Sequence, residues 1–309
     1  VRDELPDPVH KDNAALAEDG NNLGRGTGRL HVLQSQREKA EEFREMHGGR
    51  SILVLPNAWD VPSARVFEEL GFRAVGTSSA ALMVSLGYPD GEEIERCEMV
   101  AAVRRIAGAV SVPLTADVVS GFGETPKGVS MTVKSVVEAG AVGVNVEDFV
   151  HETKKLRPVR VQLERLRALV ELKRRTGIPF VINARTDALR YAEGDESARF
   201  REAVRRAAAY RDSGADCVYP MGITDAASIS AFVKELDCPV NVMVRPGLPP
   251  VGELQRLGVA RLSFGPSAAY AVFGLLKRVG REVLEKGTYS SMLEGAITYE
   301  ELNRLARKR

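Results

Sequence analysis

Six polar residues stand at the ends of short β-branched runs or in the loops that follow them: Asp90, in a long loop, and Asp117, Glu147, Arg185, Ser78 and Ser79. Three carboxylates gathered at one place repel one another unless they are protonated or bridged by a cation. An all-oxygen donor set suits Mg2+ or Mn2+, with water completing the octahedron. Arg185 brings a planar fork for a carboxylate or phosphate-like group, and Ser78 and Ser79 offer hydroxyls and backbone N–H groups to an anion. The chemistry implied is a small, oxygen-rich anion held on a divalent metal. Each residue also has a quieter use. Asp117 suits a helix or turn cap, Glu147 a solvated loop, Arg185 an ion pair with Asp187, Ser78 and Ser79 a helix cap, and Asp90 the YPDG turn. Their common position at one end of the strands favours the chemical use.

The elements that place them are βα units. Eight runs read as strands: SILVL (51–55), RAVGT (73–77), VPLTAD (112–117), VGVNVE (142–147), PFVINA (179–184), DCVYP (216–220), PVNVM (239–243) and ARLSF (260–264). Short β-branched runs alternating with helices signify a parallel sheet. The even-numbered runs follow a helix ended by glycine (Gly71, Gly140, Gly214, Gly258), and the third, fifth and seventh begin at a proline (Pro113, Pro179, Pro239). That rhythm predicts a closed (β/α)8 TIM-type barrel, with an open doubly wound sheet as the alternative. In such a barrel the strand C-termini carry the chemistry. The exits also offer Trp59 after the first strand and Asn241 on the seventh, while His151, Lys154 and Lys155 follow the fourth as candidate general acids.

The expected organisation is an N-terminal extension over 1–34, mobile or lying on a neighbour, and one barrel domain over 35–309. A helix is predicted from Ser35, with Phe43 and Met46 on one face. Beyond the eighth strand, SAAYAVFGLLKRVGREVLEKG reads as an apolar helix and ITYEELNRLARKR as a short amphipathic one.

Bulk properties exclude several classes. At a net charge of +1 no global field draws nucleic acid or an anionic membrane. No apolar run reaches the about 18–20 residues that a membrane span needs. Cys97, Cys217 and Cys238 form no CxxC and no disulfide framework, so a reducing, cytoplasmic setting is the expectation.

The segments PNAWDVPSA, GTSSAALMVSLGYPDGE, ADVVSGFG, GVNVED, INARTDA and RLSFG occur in this order. Together, over about 51–284, they resemble the isocitrate lyase/phosphoenolpyruvate mutase superfamily. The resemblance implies a Mg2+-dependent enzyme that makes or breaks a C–C or P–C bond beside a metal-bound, pyruvate-like enolate. It implies Asp117 as direct metal ligand, with Asp90 and Glu147 holding metal-bound waters. Ser78 and Ser79 match the segment that binds the substrate carboxylate, and Arg185 the arginine that grips the same substrate. It also implies a homo-oligomer, a dimer or tetramer with an exchanged C-terminal helix.

Two departures stand out. The second acidic residue of the strand-three motif is replaced by Val119, which implies weaker metal affinity. The loop after strand four reads FVHETKKLRPVRVQLERL and lacks the Lys-(Lys/Arg)-Cys-Gly-His motif of the isocitrate and methylisocitrate lyases; its basic character echoes the gating loop of the mutases, without the asparagine. The leading expectation is a C–C lyase of a small 2-oxo or 2-hydroxy carboxylic acid. The alternatives are phosphoenolpyruvate mutase or phosphonopyruvate hydrolase chemistry, oxaloacetate decarboxylation, and a non-catalytic oxo-acid-binding barrel.

Overall fold

A computed structural model describes residues 24–49 and 51–306. The eight expected runs all become parallel strands: β1 (Leu53–Leu55, continued by Asn57–Ala58), β2 (Val75–Thr77), β3 (Leu114–Asp117), β4 (Gly143–Glu147), β5 (Val181–Thr186), β6 (Cys217–Pro220), β7 (Asn241–Met243) and β8 (Arg261–Ser263). Strands β1 to β6 pair in sequence order, β7 pairs with β8, and β8 returns to β1. A bridge between Val218 and Val240 joins β6 to β7 and closes the ring. The molecule is a (β/α)8 barrel.

The first strand runs further than expected. Pro56 has no N–H to give a ladder and interrupts the strand. Its carbonyl still accepts from Gly76 N at 2.8 Å, and Asn57 and Ala58 pair onward with β2. The asparagine thereby enters the barrel wall rather than the exit loop.

The two lead-in types have the expected backbone. Gly71, Gly140, Gly214 and Gly258 all have φ between 86° and 110°, the region that ends a helix cheaply only for glycine.

Apolar side chains of the strands and the enclosing helices form one core, including Val144, Val146, Ile182, Val218, Leu166 and Phe232. The first helix, Gly24–Gly48, begins eleven residues before the predicted Ser35 and seats Phe43 and Met46 in that core. The 1–34 extension is therefore helical from Gly24, and the earlier part of that expectation lies outside the described residues. Helix Tyr299–Ala306 packs back on Val61–Glu69 with Arg304 bonded to Glu69. By contrast, helix Ser267–Lys286 buries Ala269 alone among its side chains, and Tyr270, Leu276 and Leu284 are largely exposed.

Candidate active site

A cavity of about 430 Å³ opens at the C-terminal ends of the strands. Ser78, Ser79, Asp90, Asp117, Arg185 and Asn241 line it, so the structure brings these expected residues together. Glu147, Trp59, His151 and Lys154 lie outside its lining.

Strand alternation explains who faces in. Asp117, Asn145 and Asn183 share one register across β3, β4 and β5. Asn183 Nδ2 donates to Asn145 Oδ1 at 3.0 Å, and Asn145 Nδ2 donates to Asp117 Oδ1 at 3.0 Å. The other carboxylate oxygen accepts from Ser79 Oγ at 2.7 Å and Ser79 N at 3.1 Å. This belt of amides fixes the Asp117 carboxylate.

Ser78 serves mainly as a cap. Its hydroxyl accepts from Ala81 N at 3.3 Å and starts the helix Ser79–Ser85. The capping use foreseen for the pair is present at Ser78, while Ser79, expected to meet a substrate anion, is bonded to the Asp117 carboxylate.

One register higher, Glu147 on β4 stands opposite Arg185 on β5. Arg185 Nη1 meets Glu147 Oε2 at 2.7 Å, and Nε and Nη2 form a fork on Asp187 at 2.7 and 2.8 Å. Tyr219 stacks beneath the guanidinium at 5.8 Å. A guanidinium has five N–H donors, so Arg185 retains donors for a ligand while three are held by protein. Glu147 Oε1 is bonded to His151 Nε2 at 2.5 Å. Burial pushes the Glu147 carboxyl up, against Arg185 and His151; the same contact with Glu147 raises the His151 pKa.

The three carboxylates therefore do not form the expected trio. Glu147 is sheathed by Arg185 and His151, while Asp90 and Asp117 share the cavity. Burial, and next the charge of Asp117, raises the Asp90 pKa. Among the described residues no three His, Cys, Asp or Glu side chains are grouped to hold a metal. Mg2+, however, is held by one or two carboxylates with water and substrate oxygens rather than by an all-protein cage. Asp117 and Asp90 are a donor set of that kind, and a divalent cation would relieve their repulsion, so these residues fit the ion.

Position 119 supplies backbone where a carboxylate was expected. Val119 has φ 53°, an outlier for a β-branched residue, and is 1% exposed. Its carbonyl accepts from Glu147 N at 2.9 Å and its N–H reaches Asp117 Oδ1 at 3.4 Å.

His151 and Lys154 sit on a hairpin formed by Phe149–Val150 and Lys155–Leu156. They line a neighbouring cavity, which shares Asp90 with the first. Trp59 packs against the core, because the chain turns there into a helix capped by Asp60. Asp148, next to Glu147, points away from the barrel axis to Arg206, Tyr210 and Thr186.

Several lining residues escaped the sequence reading: Asn57, Thr115, Asn145, Tyr219 and Arg261. Part of the signal was available. Thr115 and Arg261 each lie two residues before a polar exit residue that they share a face with, Asp117 and Ser263. Asn145 stands so only to Glu147, which is outside the lining, and Tyr219 precedes the apolar exit Pro220-Met221.

The comparisons with known proteins agree with the barrel fold. Residues 43–284 match the family model described as phosphoenolpyruvate phosphomutase. The 2-methylisocitrate lyase of Escherichia coli K12 is 31% identical over 251 residues, covering 77% of this chain and 82% of that protein. The structure of oxaloacetate acetylhydrolase in complex with the product oxalate is similar with a TM-score of 0.76 at 27% identity, covering 86% of this chain and 93% of that one. That of 2,3-dimethylmalate lyase gives 0.75 at 26% identity, covering 87% and 94%. The chain belongs to the isocitrate lyase/phosphoenolpyruvate mutase superfamily, an enzymatic group with lyase and mutase members.

Proposed function

We propose that this chain is a divalent-metal-dependent C–C lyase that acts on a small 2-oxo or 2-hydroxy carboxylic acid by way of a pyruvate-like enolate. The observation that carries the reading is the joint lining of one cavity by Asp117, Asp90, Ser79 and Arg185 at the strand C-termini. The names of the similar 2-methylisocitrate and 2,3-dimethylmalate lyases support C–C cleavage.

Asp117 and Asp90 would hold Mg2+ or Mn2+. Such an ion supplies Lewis-acid stabilisation of the negative charge that develops on a substrate oxygen. The chain's own part is positioning. Arg185, locked by Glu147 and Asp187, directs its remaining N–H groups at a substrate carboxylate without losing entropy at the moment of binding. The amide belt keeps the Asp117 carboxylate in place. His151 and Lys154 on the hairpin are the groups placed to exchange a proton, from the cavity that shares Asp90. Contact with Glu147 keeps His151 protonated to higher pH than a free imidazole.

Two further readings complete the proposal. Among the described residues no helix is long and apolar enough to cross a membrane, which fits a protein working in the cytoplasm. The exposed apolar side of Ser267–Lys286 fits association with further copies of this chain, as a dimer or tetramer.

The deciding experiment is a turnover screen with and without Mg2+ on isocitrate, methylisocitrate, other 2-alkylmalates, oxaloacetate, phosphonopyruvate and phosphoenolpyruvate, following pyruvate and glyoxylate together. Metal-dependent release from a C–C substrate is the expected result. Turnover of the phosphorus compounds alone moves the assignment to mutase or hydrolase chemistry. Silence across the panel with oxo-acid binding intact makes the barrel a binding protein.

A further inference from the structure

Arginines inside a barrel need counter-charges, and Arg185 has two. Arg261 pairs with no carboxylate among the described residues, although it is 2% exposed; the charge of Asp117 acts on it from beyond ion-pair distance. It is the first residue of β8, in register with Asn241 on β7 and Leu53 on β1. Its side chain lines the 430 Å³ cavity beside Asn241 and Thr115. Arg261 Nε and Nη1, Asn241 Oδ1 and Thr115 Oγ1 are all buried without a hydrogen-bond partner. Burial lowers the Arg261 pKa, so the protein around it favours the charge less than water does. Nearby Cys217 and Tyr219 give no counter-charge, since burial holds Cys217 up at about 12 and Tyr219 well above its ordinary value, which leaves the more distant Asp117 carboxylate to favour the charge.

An isolated buried guanidinium is costly. Four unmatched polar atoms on three residues that line one cavity describe the complement of a ligand: donors for an oxyanion and an acceptor for a hydroxyl.

We propose that Arg261 is the floor of the substrate site and binds an oxyanion group of the substrate, a carboxylate or a phosphonate, with the Thr115 hydroxyl donating beside it and Asn241 Oδ1 accepting from a substrate hydroxyl. The inference rests on reading the cavity as the substrate site. It adds a second cationic subsite below Arg185 and assigns the protein substrates with two acidic groups over those with one.

The test is calorimetric binding to the full chain in chelator, without metal, using oxalate, pyruvate and phosphonopyruvate on the wild type, Arg261→Met and Arg261→Lys. Oxalate is expected to bind the wild type more tightly than pyruvate. Arg261→Met should weaken oxalate by at least about tenfold, the loss of one charge-assisted hydrogen-bonded contact. Arg261→Lys should recover part of that loss, since it keeps the charge and loses the fork. The unliganded Arg261→Met protein should melt no lower than wild type, because methionine removes an unpaired charge. A larger loss for phosphonopyruvate than for oxalate would place the phosphonate on the floor; the reverse would place a carboxylate there. Unchanged oxalate affinity in Arg261→Met, no binding to the wild type, or a fall in melting temperature for Arg261→Met overturns the proposal. Arg261-dependent binding without any metal-dependent turnover would sink the lyase reading and leave this subsite standing.

Discussion

Glu147 and Asp148 are neighbours in sequence, yet they open onto two polar regions of opposite character. Outside the barrel wall, Asp148 accepts from Tyr210 Oη at 2.6 Å, Thr186 Oγ1 at 2.8 Å, Arg206 Nη1 at 3.0 Å and Asp187 N at 3.0 Å. Arg206 also binds the Arg157 carbonyl and Glu202. That cluster ties the hairpin, β5 and helix Glu196–Asp212 together, and the side chains of Asp148, Thr186, Arg206 and Tyr210 leave no buried polar atom unmatched. Inside the wall, Thr115, Asn183, Asn241 and Arg261 each keep at least one buried polar atom unmatched. A matched buried network fixes structure. The inner groups, three of which line the cavity, are those that the proposed ligand would match.

The largest expected effect tests the outer region. Asp148→Ala leaves Arg206 buried without its partner and should cost about 3–5 kcal/mol of folding stability, read from urea denaturation. Turnover per folded molecule should change little. A small stability loss would mean that the outer cluster is no more structural than the inner one.

Asp117→Ala tests the inner region. It should lower metal-dependent turnover by at least about a hundredfold, while its midpoint in urea falls less than that of Asp148→Ala. Unchanged turnover would break the comparison and the reading of the site with it.

A third expectation concerns His47, buried under the barrel with Nδ1 2.8 Å from the Phe43 carbonyl. Burial, helped by Arg261, lowers its pKa to about 4. The folded state therefore refuses a proton that the unfolded chain accepts below about 6.5. The stability from the neutral ring is complete above about pH 6.5 and is lost as pH falls toward 4. Between pH 7 and pH 5 it should account for about 2 kcal/mol. Replacing His47 with Gln should flatten that part of the stability profile; parallel profiles for the two proteins would remove the histidine from the account.

The smallest effect sharpens the metal reading. Val119→Asp places a carboxylate two residues beyond Asp117, on a residue type that tolerates φ near 53° better than valine. Affinity for Mn2+ should rise about tenfold, measured by electron paramagnetic resonance titration. No change would show that position 119 acts here only through its backbone.

The strands were legible because each is a β-branched run between a glycine or a proline and a polar exit, and the exits named Ser79, Asp90, Asp117 and Arg185 as cavity residues. Polar residues within the runs were only partly legible as site residues. Arg261 in ARLSF shares a face with the exit residue Ser263, whereas for Asn145 in VGVNVE and Tyr219 in DCVYP the surrounding residues announce a strand but not which face meets the cavity. Asp90 and Glu147 show the same limit from the other side: Glu147 ends a strand and Asp90 lies in a loop beyond the helix Ser79–Ser85, and only the barrel shows that Asp90 opens into the cavity while Glu147 is closed off by Arg185 and His151.

The sequence by itself determined the order of strands and helices, the turns between them and the end of the barrel at which chemistry gathers. Those are local matters, set by chain stiffness, side-chain alternation and the φ preferences of glycine and proline. Tertiary structure decided the charge partners: Asp117 with Ser79 and Asn145, Glu147 with Arg185 and His151, Asp148 with Arg206, and Arg261 with no ion pair among the described residues. Partnership is a matter of distance and desolvation across residues far apart in the chain, and closing the ring of eight strands is what fixes both.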